Sequence, residues 1–180
     1  SEMCIRDSLY AVLIGNPTFL LEEDVVVLAN NEPKLRSINQ DMIDSLQRGM
    51  ILSDLPGTQT EVDLISDNLK SKGWDVEVIS GVDATETSVK SVVNPKILHI
   101  ATHGFFFEDQ QMVKRSNMIS SDNNKVVANP MTRSGLIFSG AENTMNGEML
   151  ANDNGWLNSY EASLLNLRKT ELVVLSACET

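Results

Sequence analysis

The chain has 180 residues, enough for one domain with a sizeable core, and its 42% apolar and 22% charged content is ordinary for a globular protein. Its formal net charge is −11, and no run of Lys and Arg is longer than a pair such as Lys114-Arg115. Nucleic acids and anionic membranes both favour basic surfaces, so this charge argues against either partner. No apolar run is long enough for a transmembrane helix and no secretory signal is visible, so we expect a cytoplasmic protein.

The chain contains only two cysteines, Cys4 and Cys178, so a disulfide framework is not expected. Two histidines and two cysteines without ligand spacing make a metal site unexpected as well, and nothing in the sequence indicates another cofactor. We expect residues 1–8 to be a polar leader and residues 9–180 to form part of a single domain.

The first half of the chain begins with an apolar run, Leu9–Ile14, that predicts a core strand closed by Gly15-Asn16-Pro17. The following segment is mixed in pattern. Residues 25–29 predict a short strand, and apolar residues recur at helical spacing from Leu35 to Leu46. We interpret this segment as an insertion packed on the sheet.

A regular alternation follows the Pro56-Gly57 turn. Thr58 and Glu61 have the spacing of a capping box, and they precede a helix that ends at Gly73. The helix is predicted to bury the stripe Val62, Ile65 and Leu69. Next come a strand (74–80), a short helix (84–93) capped by Thr85 or Thr87, and a strand that begins at Ile97. Alternating strands and helices with short links predict a three-layer α/β fold with a mainly parallel sheet.

The second half of the chain is less regular. Residues 108–133 are polar and lack a clear period, which predicts a mobile loop, and residues 141–154 predict a second, Asn-rich loop. Between these loops lies an ordered apolar segment (134–138). A final helix, capped by Asn158 or Ser159 and carrying Ala162, Leu164, Leu165 and Leu167, leads to the last strand.

Two strands end in residues that can carry out chemistry. The Ile97–Ala101 strand runs into His103-Gly104, and the run Leu172–Leu175, which reads as a strand buried on both faces, runs into Ala177-Cys178. Residues beyond the carboxyl ends of neighbouring parallel strands share one crevice, so a thiol and an imidazole would meet there. A thiol and a neighbouring imidazole are the two groups that a cysteine nucleophile requires. Each residue alone is more often structural, since free cysteines are usually buried as small hydrophobes.

Several segments together resemble the CHAT domain family, a caspase-like family that is often fused to tetratricopeptide repeats. The matching segments follow the family order, and they are Leu55-Pro56-Gly57-Thr58 with Glu61, Ile97–Gly104, Ser134-Gly135-Leu136, Tyr160-Glu161-Ala162 and Glu171–Thr180. The resemblance implies a cysteine endopeptidase of the caspase, gingipain and separase clan. It assigns the nucleophile to Cys178, proton transfer to His103, and the oxyanion hole to the backbone amides of Gly104 and Cys178.

Other residues have weaker assignments. Asp153, Glu161 and Glu179 are candidates for the substrate cleft. Asp153 and Glu179 would favour a cationic side chain, although an acidic surface explains them equally well. Glu161 matches a family position, and a solvated or structural helix carboxylate explains it as well. His99 is expected to be a buried, hydrogen-bonded core residue. The chain departs from the family pattern at residues 154–159, which read Asn-Gly-Trp-Leu-Asn-Ser, and it stops after Cys178-Glu179-Thr180. We therefore expect the amino-terminal part of a bacterial CHAT domain, with an unpaired sheet edge and no activity by itself.

Two alternatives stay open at the level of sequence. The domain could keep the fold as a non-catalytic interaction or signalling module, or it could hydrolyse small amides with the same two residues. The expected partners of the peptidase are a protein substrate and a sensor or tetratricopeptide-repeat domain in the same chain. Residues 108–133 are a candidate lid or self-processing segment.

Overall fold

A computed structural model describes residues 9–22, 52–107, 130–148 and 153–177. The leader 1–8, the predicted strand and helix between residues 25 and 46, residues 108–129 of the polar loop, Cys178 and Glu179 lie outside the described residues.

The described residues form seven strands, four α-helices and one 3-10 helix (Pro130–Thr132). The strands are β1 (Tyr10–Pro17), β2 (Asp75–Gly81), β3 (Ile97–Ala101), β4 (Gly104–Phe106), β5 (Ser134–Ile137), β6 (Trp156–Asn158) and β7 (Leu172–Ser176). The helices are α1 (Pro56–Ser71), α2 (Glu86–Ser91), α3 (Ala141–Met145) and α4 (Ser159–Ala162).

The central sheet has the strand order β2-β1-β3-β7, and all of its pairings are parallel. The predicted α/β fold with a mainly parallel sheet is confirmed. Residues alternate between the two faces of a strand. Val12 and Ile14 of β1 pack in one cluster with Val89 of α2, whereas Gly15 lies against Val62 of α1 on the opposite face. Helices therefore cover both faces, and they form the outer two of three layers.

A second sheet extends beyond the carboxyl end of β3. Its order is β4-β5-β6, and both pairings are antiparallel. Phe105 and Trp156 from this sheet pack at a ring distance of 5.1 Å in an edge-to-face arrangement, within a cluster that includes Phe19 and Ile137. Aromatic pairs of this geometry add to the stability obtained from burial alone. The cluster fixes the small sheet beside the end of the large one.

The start of α1 differs from the prediction. The helix begins at Pro56, and no side chain caps it at Leu55. Thr58 instead lies in the first turn, where its hydroxyl donates to the carbonyl of Leu55 at 2.7 Å and accepts from the amide of Asn16 at 2.8 Å. The predicted capping box of Thr58 and Glu61 is therefore wrong. Proline is favoured at the first helical position because its missing N–H would have no partner there.

Two further predictions in the second half are corrected. The supposed loop 141–154 contains the helix α3, whose Asn143 exchanges hydrogen bonds of 2.8 and 3.1 Å with the backbone of Leu21. The predicted final helix is only one turn long, although its Asn158 cap with Glu161 is a complete capping box. Leu164 lies beyond this turn and is 69% exposed, while Leu165 and Leu167 still pack on the core.

Strand β7 does not have the burial that its apolar sequence predicted. Among the described residues it lies at the edge of the sheet, with β3 as its hydrogen-bonded neighbour. Leu172, Val173 and Leu175 are each about half exposed, at 50%, 45% and 57%. A run of apolar residues predicts a buried strand, but it does not identify the residues that would pack on it.

Gly135 of β5 provides a test of the small sheet. A Cβ at this position would lie 2.1 Å from the carbonyl oxygen of Leu157 on β6, so Gly135→Ala should force the two strands apart. We expect a loss of about 1–3 kcal/mol in the free energy of unfolding, measured by chemical denaturation of the full-length protein. Gly57→Ala is the matched control, since its Cβ would meet nothing within 4 Å. Equal stability of the two variants would contradict the close approach.

Candidate active site

The last residues of β3 and β7 lie side by side. Ala101 is paired with Ser176, and the amide of Thr102 donates to the Ser176 carbonyl at 3.2 Å. Along the chain, His103 and Cys178 each lie two positions beyond this pair. The register therefore brings the segments that carry the predicted dyad to the same end of the sheet. Cys178 is outside the described residues, so the contact between thiol and imidazole stays a prediction.

His103 is held firmly at this end of the sheet. Its side chain is 6% exposed, and its ring packs against Phe19 with a centroid distance of 5.1 Å. Nε2 lies 2.8 Å from the backbone carbonyl oxygen of Ser53. A carbonyl oxygen can only accept, so Nε2 carries the hydrogen and the neutral ring has its lone pair on Nδ1. The contact thus fixes both the orientation and the tautomer of the imidazole.

The role of Ser53 could not be found from the sequence. Its contribution is a backbone carbonyl, which every residue has, and Ser53 precedes α1 by only three positions. The nearby segment Leu55-Pro56-Gly57 was the only signal in the sequence, and it predicted the beginning of the helix. It did not indicate a contact with a residue fifty positions further along the chain.

Gly104 begins β4 immediately after His103. Two backbone hydrogen bonds join this segment to β5 and its flanks. The His103 carbonyl accepts from the Ile137 amide at 3.0 Å, and the Phe107 amide donates to the Arg133 carbonyl at 2.8 Å. In an antiparallel pair these bonds belong to alternate residues, so the Gly104 amide is directed away from β5. Its use as an oxyanion donor stays a prediction.

An open groove lies between the small sheet, α4 and the end of β7. Its volume is about 310 Å³. The lining is mainly apolar, with two hydroxyl side chains and no charged one, and it consists of Gly104, Phe105, Phe106, Ser134, Gly135, Leu136, Leu157, Ser159, Ala162, Leu175 and Ala177. A groove beside Gly104 and Ala177 is a natural position for a substrate chain.

Two of the three acidic cleft candidates are bound within the fold. Asp153 accepts from the Thr87 amide at 2.7 Å, and Glu161 accepts from the Asn158 amide at 3.1 Å while it also pairs with Lys90 at 3.0 Å. Neither residue lines the groove. Their assignment to the substrate cleft stays a prediction, as does that of Glu179, which lies outside the described residues.

A buried carboxylate that the sequence did not single out connects α2 to the 153–158 segment. Glu86 is 2% exposed, pairs with Lys90, and accepts from the Asn154 amide at 3.3 Å. The pKa of Glu86 is raised to about 7, and burial is the largest cause. The hydrogen bond from Lys90 opposes the rise, whereas the nearby carboxylates of Glu161 and Asp153 add to it. Burial would lower the pKa of Lys90, but its bonds to Glu86 and Glu161 outweigh this and raise it.

His99 lies in the middle of β3 and is buried as expected, at 4% exposure. Its Nε2 is 3.1 Å from Oε1 of Glu61, which is an ion-pair distance, but the contact lacks the alignment of a directed hydrogen bond. The other carboxylate oxygen of Glu61 accepts from the hydroxyl of Ser176 at 3.3 Å. The expected hydrogen-bonded core histidine is therefore a buried histidine in electrostatic contact with a helix carboxylate.

The described parts of the chain contain no cluster of three His, Cys, Asp or Glu side chains that is arranged to hold a metal ion. Within the same ranges, no helix has both the length and the apolar character needed to cross a membrane.

The fold is thus that of an α/β protein in which a parallel sheet carries a fixed histidine at the carboxyl end of one strand. A comparison with family models finds a match to the CHAT domain over residues 5–180. The chain therefore belongs to the CHAT domain family, which is related to the caspase-like cysteine peptidases. Comparisons with curated proteins and with solved structures find no match.

The raised pKa of Glu86 predicts how stability depends on pH. The folded protein binds the Glu86 proton more tightly than the unfolded chain does, so this contribution is complete below pH 4.5 and is lost as the pH rises through about 7. The raised pKa of Lys90 acts only in the alkaline range, above 10.5. Between pH 5 and 8, the Tm of the unsubstituted protein (the parent) should therefore fall relative to that of Glu86→Gln. The expected fall is about 2–4 °C for each kcal/mol of folding stability that is lost.

Thermal unfolding of the full-length protein at several pH values would measure this difference. Asp67→Asn, at an exposed position of α1, is the control for loss of a negative charge, and its profile should parallel that of the parent. Parallel profiles for the parent and Glu86→Gln would show that the buried carboxyl is not titrating in this range.

Proposed function

We propose that this domain is a cysteine endopeptidase that uses His103 and Cys178 as a catalytic dyad. The observation that carries the proposal is the contact between His103 Nε2 and the Ser53 carbonyl at 2.8 Å, beside a strand whose continuation carries the only cysteine in this half of the chain. This contact makes Nδ1 the ring nitrogen that can accept a proton from a neighbouring thiol. Membership of a peptidase-related family supports the same reading.

The proposed chemistry assigns one task to each group. The thiol of Cys178 loses its proton to Nδ1 of His103, and the thiolate then attacks the scissile carbonyl carbon. A C–S bond forms while the carbonyl electrons move to oxygen. When the C–N bond breaks, His103 returns the proton to the leaving amine, and water subsequently hydrolyses the thioester. The Ser53 carbonyl keeps Nδ1 directed at the reacting atoms and stabilises the imidazolium that forms.

The oxyanion is assigned to the backbone amides of Gly104 and Cys178. The register of β4 directs the Gly104 amide away from β5, and the absence of a Cβ allows a carbonyl to approach closely. Fixed donors of this type stabilise the tetrahedral intermediate more than the substrate, and this difference lowers the barrier.

The substrate is proposed to be a protein segment that enters the groove beside Gly104 and Ala177. The described lining of this groove has no charged side chain, which favours apolar side chains near the cut over the Arg or Lys that the acidic composition suggested. The domain is further proposed to act in a bacterial cytoplasm, under the control of a sensor or tetratricopeptide-repeat domain in the same chain.

A denatured peptide library exposed to the full-length protein tests the activity and its specificity together. Cys178→Ala and His103→Ala should each abolish detectable cleavage, because removal of either group disables the nucleophile. Cys4→Ala is the matched control and should retain full cleavage. Cleavage that survives in either dyad variant would refute the assignment, and a strict preference for Arg or Lys would refute the proposed role of the groove.

Alkylation of the two cysteines separates a peptidase from a docking module with the same fold. At pH 7, iodoacetamide should modify Cys178 faster than Cys4, on the order of tenfold, because an adjacent imidazole favours the thiolate. His103→Ala should remove this difference. The rates are followed by mass spectrometry of the two cysteine peptides. A Cys178 that reacts no faster than Cys4 would favour the docking module.

A further inference from the structure

The proposed nucleophile follows β7 along the chain, so the contacts that hold the end of this strand matter for the proposed catalysis. In the described part of the chain β7 is an edge strand, bonded to β3 alone, and Ala177 beyond it is exposed. Edge strands lack the second row of hydrogen bonds that holds an inner strand. Among the described residues, side-chain contacts near the end of β7 therefore add to its bonds with β3.

Glu61 supplies such a contact from α1. One carboxylate oxygen accepts from the Ser176 hydroxyl at 3.3 Å, and the other lies 3.1 Å from Nε2 of the buried His99. His99 belongs to β3 and is paired with Val174 of β7. The carboxylate thus contacts both of the strands that lead to the predicted dyad. His99 is 4% exposed and has no directed hydrogen-bond partner for Nε2 among the described residues, so the Glu61 carboxylate is the polar group in contact with this nitrogen.

The helix that carries Glu61 is itself fixed in place. A Cβ at Gly15 of β1 would lie 2.9 Å from Val62 and 3.0 Å from the carbonyl oxygen of Thr58, which shows how closely α1 approaches the end of β1. The Thr58 hydroxyl also accepts from the Asn16 amide. Position 61 therefore cannot shift along the sheet without the loss of these contacts.

We infer that Glu61 is a positioning residue for Cys178, and that it acts by holding Ser176 at the end of β7. The same end of α1 follows Ser53, whose carbonyl orients His103. One continuous segment, residues 53–61, thus contacts both His103 and the last residue of β7. This inference rests on the proposed peptidase function for its consequence in catalysis, whereas the anchor itself does not depend on activity.

Hydrogen exchange tests the anchor without any assay of cleavage. In the full-length protein, Glu61→Ala should increase deuterium uptake in peptides that cover residues 172–180, while peptides from β1 should be unaffected. Asp63→Ala, an exposed carboxylate on the same helix, is the matched control and should change neither region. Glu61→Gln retains an acceptor oxygen for Ser176 and should restore the parental uptake. Parental uptake in Glu61→Ala would overturn the anchor.

Kinetics test the consequence for catalysis. Glu61→Ala and Ser176→Ala should each lower kcat about 10- to 100-fold with little change in KM, since a displaced nucleophile weakens the chemical step more than binding. If Glu61 acts through Ser176, the double variant should be no worse than either single variant. Glu61→Gln should remain close to the parent.

The possible results separate the two proposals. An unchanged kcat in Glu61→Ala, or losses that multiply in the double variant, would overturn the positioning role in an active enzyme. If the parent shows no cleavage and its Cys178 is inert, the proposed peptidase function fails. The exchange experiment would then still decide whether Glu61 holds the end of β7.

Discussion

The close approach of α1 to the carboxyl end of β1 is the contact on which the rest of this structure depends. Gly15 leaves no side chain between the strand and the helix, so Val62 and the Thr58 carbonyl oxygen lie only 2.9 and 3.0 Å from the position that a Cβ would occupy. Because β1 is the central partner of both β2 and β3, the position of the helix on β1 determines its position over the whole sheet. The residues at the beginning of α1 are thereby brought to the end of the sheet where His103 lies.

Polar contacts from this one helix end reach two neighbouring strands. The Ser53 carbonyl holds the His103 ring, and the Glu61 carboxylate contacts His99 and Ser176. The two hydrogen bonds among these contacts, Ser53 with His103 and Glu61 with Ser176, are directional and therefore define positions, although such bonds add only modestly to stability. In the proposed peptidase, a nucleophile that follows β7 would require positional definition more than additional stability, because small displacements are costly in catalysis.

A buried carboxyl group lies on the opposite face of the sheet. Glu86 of α2 shares Lys90 with Glu161 of α4, and it also receives the Asn154 amide. This network joins α2 to the segment that precedes β6. Within it, Asp153 and Glu161 each contact a residue of α2. From α4, the groove is lined by Ser159 and Ala162, so this helix contributes no charged side chain to it.

The sequence by itself determined the alternation of strands and helices, because hydrophobic periodicity and Pro-Gly punctuation are local signals. It therefore predicted the parallel sheet and the place of His103. Only the tertiary structure decided that Thr58 is not a cap, that residues 141–145 are helical, and that β7 is an edge strand in the described chain. The contacts of Ser53 and Glu61, and that of Glu86 with Asn154, were also invisible in the sequence. Each joins residues far apart in the chain, and such contacts arise only when packing brings separate elements together.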